Sequence, residues 1–117
     1  AHPRTAGTFS RVLGLYVRER KALSLMDALA KMTIRPAQRL EGIAPIMRGK
    51  GRLQVGADAD ITVFDPNTII DKATFEGGLK FSEGIPYVFV NGTAVVKAGK
   101  TIGNVFPGQP IYVKYKQ

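Results

Sequence analysis

The stretch Gly51-Arg52-Leu53-Gln54-Val55-Gly56-Ala57-Asp58-Ala59-Asp60-Ile61-Thr62-Val63-Phe64-Asp65-Pro66 divides the chain. Its front belongs to a glycine-rich connector, Arg48 to Gly56. Its back, Ile61 to Phe64, is a short β-rich run stopped by the turn signal Asp65-Pro66. Asp58 and Asp60 could be mistaken for a metal-binding carboxylate pair. Alternate residues just before a strand are more often turn and cap groups, and they are read so here. Gly49-Lys50-Gly51 is too short for a phosphate loop.

Upstream of the connector the periodicity is helical. Phe9, Val12, Leu13, Tyr16 and Val17 form one stripe, with Thr8 or Ser10 as a candidate cap. Ser24 with Asp27 three residues later is a capping-box variant, and Leu25, Ala28, Leu29 and Met32 follow as an apolar stripe. A third short helix is predicted from Thr33–Pro36, with Ala37 and Leu40 inward and Gly42 at its end. Downstream the chain reads as strands. Tyr87–Val90 and Ala94–Val96 flank Asn91-Gly92, the strongest short hairpin signal. Ala98-Gly99 marks a further turn before Thr101 and Ile102. Ile111 to Tyr115 alternates as a last strand, and Lys72 to Gly84 reads as a loop or short helix. The expected class is therefore α+β, helices followed by antiparallel strands, without the alternation of a doubly wound domain.

The 117 residues suit one modest core. There is no cysteine and one histidine, His2, so a metal centre built by this chain alone is improbable. Seventeen basic minus nine acidic residues gives +8. Residues 1–52 hold eleven basic and three acidic residues, and residues 53–117 hold six of each. No run of five basic residues occurs and no aromatic ladder interleaves them, so a nucleic-acid partner is not expected. A stand-alone basic module for an acidic partner is the rival reading. No stretch is long and apolar enough for a membrane span, and no signal peptide is visible. The lack of cysteine suits a cytoplasmic location.

Four stretches carry a resemblance. They are His2-Pro3-Arg4-Thr5-Ala6-Gly7-Thr8-Phe9-Ser10-Arg11-Val12-Leu13-Gly14; Leu25–Leu40; Gly51–Pro66; and Val90-Asn91-Gly92 with Val95-Val96. Together they resemble the C-terminal end of the amidohydrolase superfamily, and most closely its D-aminoacylase (N-acyl-D-amino-acid deacylase) branch. The resemblance implies a metal-dependent hydrolase acting on non-peptide C–N bonds. Its fold would be a (β/α)8 barrel with a small composite β-domain. Residues 1–47 would be the closing loop and helices of the barrel, and residues 48–117 the C-terminal share of the β-domain. It further implies that zinc or another divalent metal, and the catalytic residues, lie upstream of Ala1. This chain alone is then expected to be inactive and to bind no metal. Its partners would be the remainder of its own chain and a small N-acyl amino acid, with self-association a possible means of covering exposed surface. Arg4 is carried over as the grip on the substrate carboxylate, a role that suits its planar fork. His2, beside it, is the second substrate-binding candidate.

Overall fold

A computed structural model describes residues 2–113. Helix α1 (Arg4–Arg11) continues into a π-helical stretch, Val12–Glu19, whose wider winding shows in the Arg20 N–H donating to the Leu15 carbonyl at 2.8 Å. The helix begins at Pro3, whose φ of −55° is pre-set for a first turn. It does not begin at Thr8 or Ser10. The Thr8 hydroxyl donates to the Arg4 carbonyl inside the helix, and Ser10 is buried.

The face that packs inward is small. Gly7, Ser10 and Gly14, three and four residues apart, are all buried. They let the helix lie directly on the backbone of residues 65–71. A Cβ on Gly7 would come within 2.7 Å of the Asp71 Cβ, and one on Gly14 within 2.6 Å of the Ile69 carbonyl oxygen. Leu13 is buried beside this face, whereas Phe9, at the head of the expected apolar stripe, is 64% exposed. Spacing identified a helix, but close backbone packing chose which side faces in.

Helix α2 (Leu25–Met32) starts as expected: the Ser24 hydroxyl accepts the Asp27 N–H at 3.1 Å. The Asp27 carboxylate does not complete a capping box and instead pairs with Arg35 at 2.9 Å. Ala28 is fully buried. Helix α3 (Ile34–Leu40) has Pro36 in its first turn and Ala37 buried. Leu40, expected inward, is 41% exposed; this short helix packs chiefly on α2 and on the 3-10 turn Pro45–Gly49.

Four strands form one antiparallel sheet in chain order: β1 (Ile61–Val63), β2 (Tyr87–Val90), β3 (Thr93–Lys97) and β4 (Lys100–Thr101). Asn91 and Gly92 adopt φ of 49° and 77°, the two positive values a type I′ hairpin needs. Ala98 and Gly99 repeat the pattern at φ of 51° and 75°. Register slips between Val88 and Phe89, which leaves Val95 as the extra residue of a bulge. Between β1 and β2, the 64–86 excursion is tied by an isolated Ile70–Glu83 bridge. Ile111–Val113 lie outside the sheet, and the remainder of the expected last strand falls outside the described residues. Alternation marks two faces, but a strand also needs a neighbouring edge, and β4 is only two residues long.

The core joins both halves. Leu13, Ala28 and Ile69 cluster, with Val12, Val17, Leu29, Met32, Phe64 and Ile85 packed around them. It is a small core. Leu53, Val55, Phe75, Phe81, Phe106 and Tyr112 are among the large apolar side chains left exposed.

Candidate functional site

Arg4 is the first residue of α1 and is exposed. It stands at the rim of a cleft of about 660 Å³ between α1 and the sheet. Phe9, Phe81, Ile85, Val88 and Val96 give this cleft an apolar floor, and Lys100 adds a second cation to its lining. His2 lies just before the helix. Its Nδ1 accepts the Arg4 backbone N–H at 3.1 Å, and its ring meets Phe75 edge-on at 5.1 Å. The two sequence-derived candidates are thus adjacent, with His2 in contact with the backbone of Arg4. A second cleft of about 650 Å³ shares Phe9, Ser10, Thr62 and Ile85 with the first and runs on to Met26, Leu29, Met32 and Leu53.

Helix α1 is held in place by groups that hydrophobic patterning did not single out. Arg11 pairs with the nearly buried Asp71 at 2.9 Å. Arg18 donates to the carbonyls of Ile69 (2.7 Å) and Pro66 (3.2 Å). Both arginines therefore grip the same 65–71 loop that Gly7 and Gly14 allow to approach. The readable signal was the small-residue spacing Gly7, Ser10, Gly14 on one helical face.

Asp58 and Asp60 act as turn groups. Lys50 Nζ lies 2.6 Å from Asp60 and 3.0 Å from Asp58. The other Asp60 oxygen accepts the Asn91 N–H at 2.8 Å, which ties the connector to the β2–β3 turn. The bond to Asp60 raises the Lys50 pKa, against the opposing effect of partial burial, and Asp58 adds to the rise. The Lys50 bond, and then the Asn91 N–H, lower the Asp60 pKa. Arg52 also pairs with Glu41 across the connector.

These arrangements do not fit a metal ion. Among the described residues no three His, Cys, Asp or Glu side chains converge. The nearest carboxylate pair, Asp58 and Asp60, already holds the Lys50 ammonium between its oxygens, and Nδ1 of His2 is engaged with backbone. Among the described residues no helix is long and apolar enough to cross a membrane.

Comparison with known proteins places the chain in context. The family model described as "Amidohydrolase family" matches residues 5–95. An N-acyl-D-glutamate deacylase from Alcaligenes xylosoxydans xylosoxydans is 52% identical over 94 residues, covering 80% of this chain and 18% of that protein. A D-aminoacylase structure that addresses the role of a binuclear metal centre superimposes with a TM-score of 0.80 at 41% identity, over 88% of this chain and 21% of that one. The N-acyl-D-glutamate deacylase of Bordetella bronchiseptica, solved with zinc and a phosphonate mimic of the tetrahedral intermediate, matches with a TM-score of 0.72 at 49% identity. That match covers 80% of this chain and 19% of the other. The chain spans about a fifth of the length of the relatives it matches. The family match covers most of its residues and the relatives share its fold, so the chain belongs to the amidohydrolase family.

Proposed function

We propose that this chain is the C-terminal part of a longer enzyme that hydrolyses the amide bond of N-acyl-D-amino acids. In this reading residues 1–47 close the hydrolase barrel and residues 48–117 contribute strands to its small β-domain. The support is threefold. Relatives named for N-acyl-D-amino-acid deacylation are about half identical to it over the 80% of the chain they cover. Large apolar side chains and two clefts stand open, as surface destined for the remainder of a longer chain would. A cationic fork also stands at the lip of a cleft, on a helix that is held from below.

The observation that carries the reading is Arg4. Its guanidinium can take a carboxylate in two parallel hydrogen bonds. Among the described residues its side chain has no ion pair or hydrogen bond, as is also true of Arg39 and Arg48, but of these three only Arg4 lines the cleft beside the sheet. Arg4 would hold the α-carboxylate of the substrate and orient the acyl–nitrogen bond. The metal chemistry for which related structures carry zinc or a binuclear centre would be supplied by residues outside this chain, so the 117 residues alone are inactive.

The test is enantiomer-resolved. The longer protein carrying this chain is assayed on N-acetyl-D- and N-acetyl-L-glutamate. Release of the D-amino acid in preference to the L-form supports the proposal. Absence of amide hydrolysis from these and from the N-acetyl-D-forms of aspartate, leucine and methionine, in protein supplied with zinc, refutes it.

A further inference from the structure

The turn His2-Pro3-Arg4 has a counterpart in the same molecule. At Asp65-Pro66-Asn67 the Asp65 side-chain oxygen accepts the backbone N–H two residues on, at 2.8 Å. The Asp65 carbonyl closes the turn by accepting Thr68 N–H at 3.2 Å. This is an aspartate turn built around a proline. At His2 the geometry repeats with an imidazole. Nδ1 accepts the N–H two residues on at 3.1 Å, and the His2 carbonyl accepts Thr5 N–H at 3.0 Å. An accepting Nδ1 carries no proton, so the neutral ring carries it on Nε2. The ring also meets Phe75 edge-on.

We propose that His2 is a positioning residue: its Nδ1 closes a turn around Pro3 that fixes the first turn of α1, and Arg4 with it, without touching substrate. The consequence for substrate binding rests on the role proposed for Arg4; the turn itself does not. The first turn of a helix is otherwise prone to open, because its leading N–H groups lack partners within the helix. Pro3 offers no side-chain cap of its own. When the first turn opens, the fraction of molecules presenting Arg4 correctly falls, and apparent affinity falls in proportion.

The two ring nitrogens separate this role from direct contact. In His2→Asn the amide oxygen stands where Nδ1 stood, as the Asp65 oxygen does in its own turn. In His2→Gln the terminal amide instead reaches toward the position of Nε2. His2→Ala removes both. Each variant is made in the longer protein carrying this chain. Hydrogen exchange is followed by mass spectrometry in a peptide covering residues 2–10, with a peptide covering β2 and β3 as the folding control. Steady-state kinetics on N-acetyl-D-glutamate are measured alongside.

His2→Asn should match the wild type in both readouts. His2→Gln and His2→Ala should speed exchange at the start of α1 about fivefold, the usual worth of a lost cap. They should raise KM severalfold while kcat stays close to the wild type. The opposite ranking, with Gln tolerated and Asn not, would assign His2 to substrate contact through Nε2 and overturn the proposal. Unchanged exchange in all three variants would overturn it too. A wild-type protein with no deacylase activity would fail the Arg4 reading alone, and the exchange measurement would still decide the role of His2.

Discussion

Gly14→Ala sets two effects of similar size against each other. Alanine in place of glycine favours a helix by about 1 kcal/mol, so on an open helix it would stabilise. Here the new Cβ would stand 2.6 Å from the Ile69 carbonyl oxygen and 2.9 Å from the Ile70 Cδ1. The Ile70 side chain can rotate away, but the carbonyl belongs to backbone. It also accepts the Arg18 guanidinium at 2.7 Å, in a part-buried bond. Relieving the overlap means moving the 65–71 loop off the helix. Overpacking of this kind costs about 1–3 kcal/mol, and loosening a hydrogen bond to a charged donor adds about 1 kcal/mol. Net destabilisation should be about 1–3 kcal/mol. Equilibrium urea unfolding reads it as a lower midpoint at unchanged slope. Gly42→Ala is the control, because its Cβ would meet nothing within 4 Å and Gly42 does not adopt positive φ. A Gly14→Ala midpoint equal to or above that of Gly42→Ala would refute the argument that glycine at 14 is required by close packing.

Other outcomes follow from the same contacts. Ser24→Ala removes the acceptor for the Asp27 N–H and should cost about 1 kcal/mol in the same unfolding assay, with Ser24→Gly costing less. Asp60→Asn keeps an acceptor for the Asn91 N–H but loses the pair with Lys50. It should destabilise by less than 1 kcal/mol, because both side chains are partly solvated, at 36% and 25% exposure. The pH dependence has a definite sign. The Asp60 pKa lies below its ordinary value of 3.8, so its contribution is present above that value and is lost as pH falls through the lowered one. The Lys50 pKa lies above its ordinary value of 10.5, so its contribution is present below that value and is lost as pH rises through the raised one. The stability difference between wild type and Asp60→Asn should be flat between these limits and shrink at either extreme, as measured by unfolding midpoints across pH.

The elements most legible in the sequence are those whose cause is local. Asn91-Gly92 specifies its hairpin because two adjacent positive φ angles are needed there. Ser24 starts α2 because its hydroxyl reaches an N–H three residues on. The start of α1 was harder to read. The sequence offers Thr8 and Ser10 as conventional caps, while the actual turn uses an imidazole across a proline, and the parallel with Asp65-Pro66-Asn67 emerges only from the hydrogen bonds. The inward face of α1 was also hidden, because its partner is the backbone of a loop more than fifty residues away. Phe9 and Leu40 illustrate the limit of periodicity: it marks residues that can be buried, while burial requires a surface to pack against. At the candidate site the resemblance supplied Arg4 and His2 together. The division of labour proposed for them came from the geometry, in which Nδ1 of His2 is turned to the backbone N–H of Arg4.

The central claim is that Arg4 grips a substrate carboxylate. In the longer protein carrying this chain, kcat/KM is measured for N-acetyl-D-glutamate and for the analogue whose α-carboxylate is a neutral carboxamide, in wild type and in Arg4→Ala. Wild type should favour the carboxylate by about 10- to 100-fold, the worth of one or two hydrogen bonds to a charged group. Arg4→Ala should lose most of that preference by slowing on the carboxylate while changing little on the carboxamide. An Arg4→Ala enzyme that retains the wild-type preference would contradict the account.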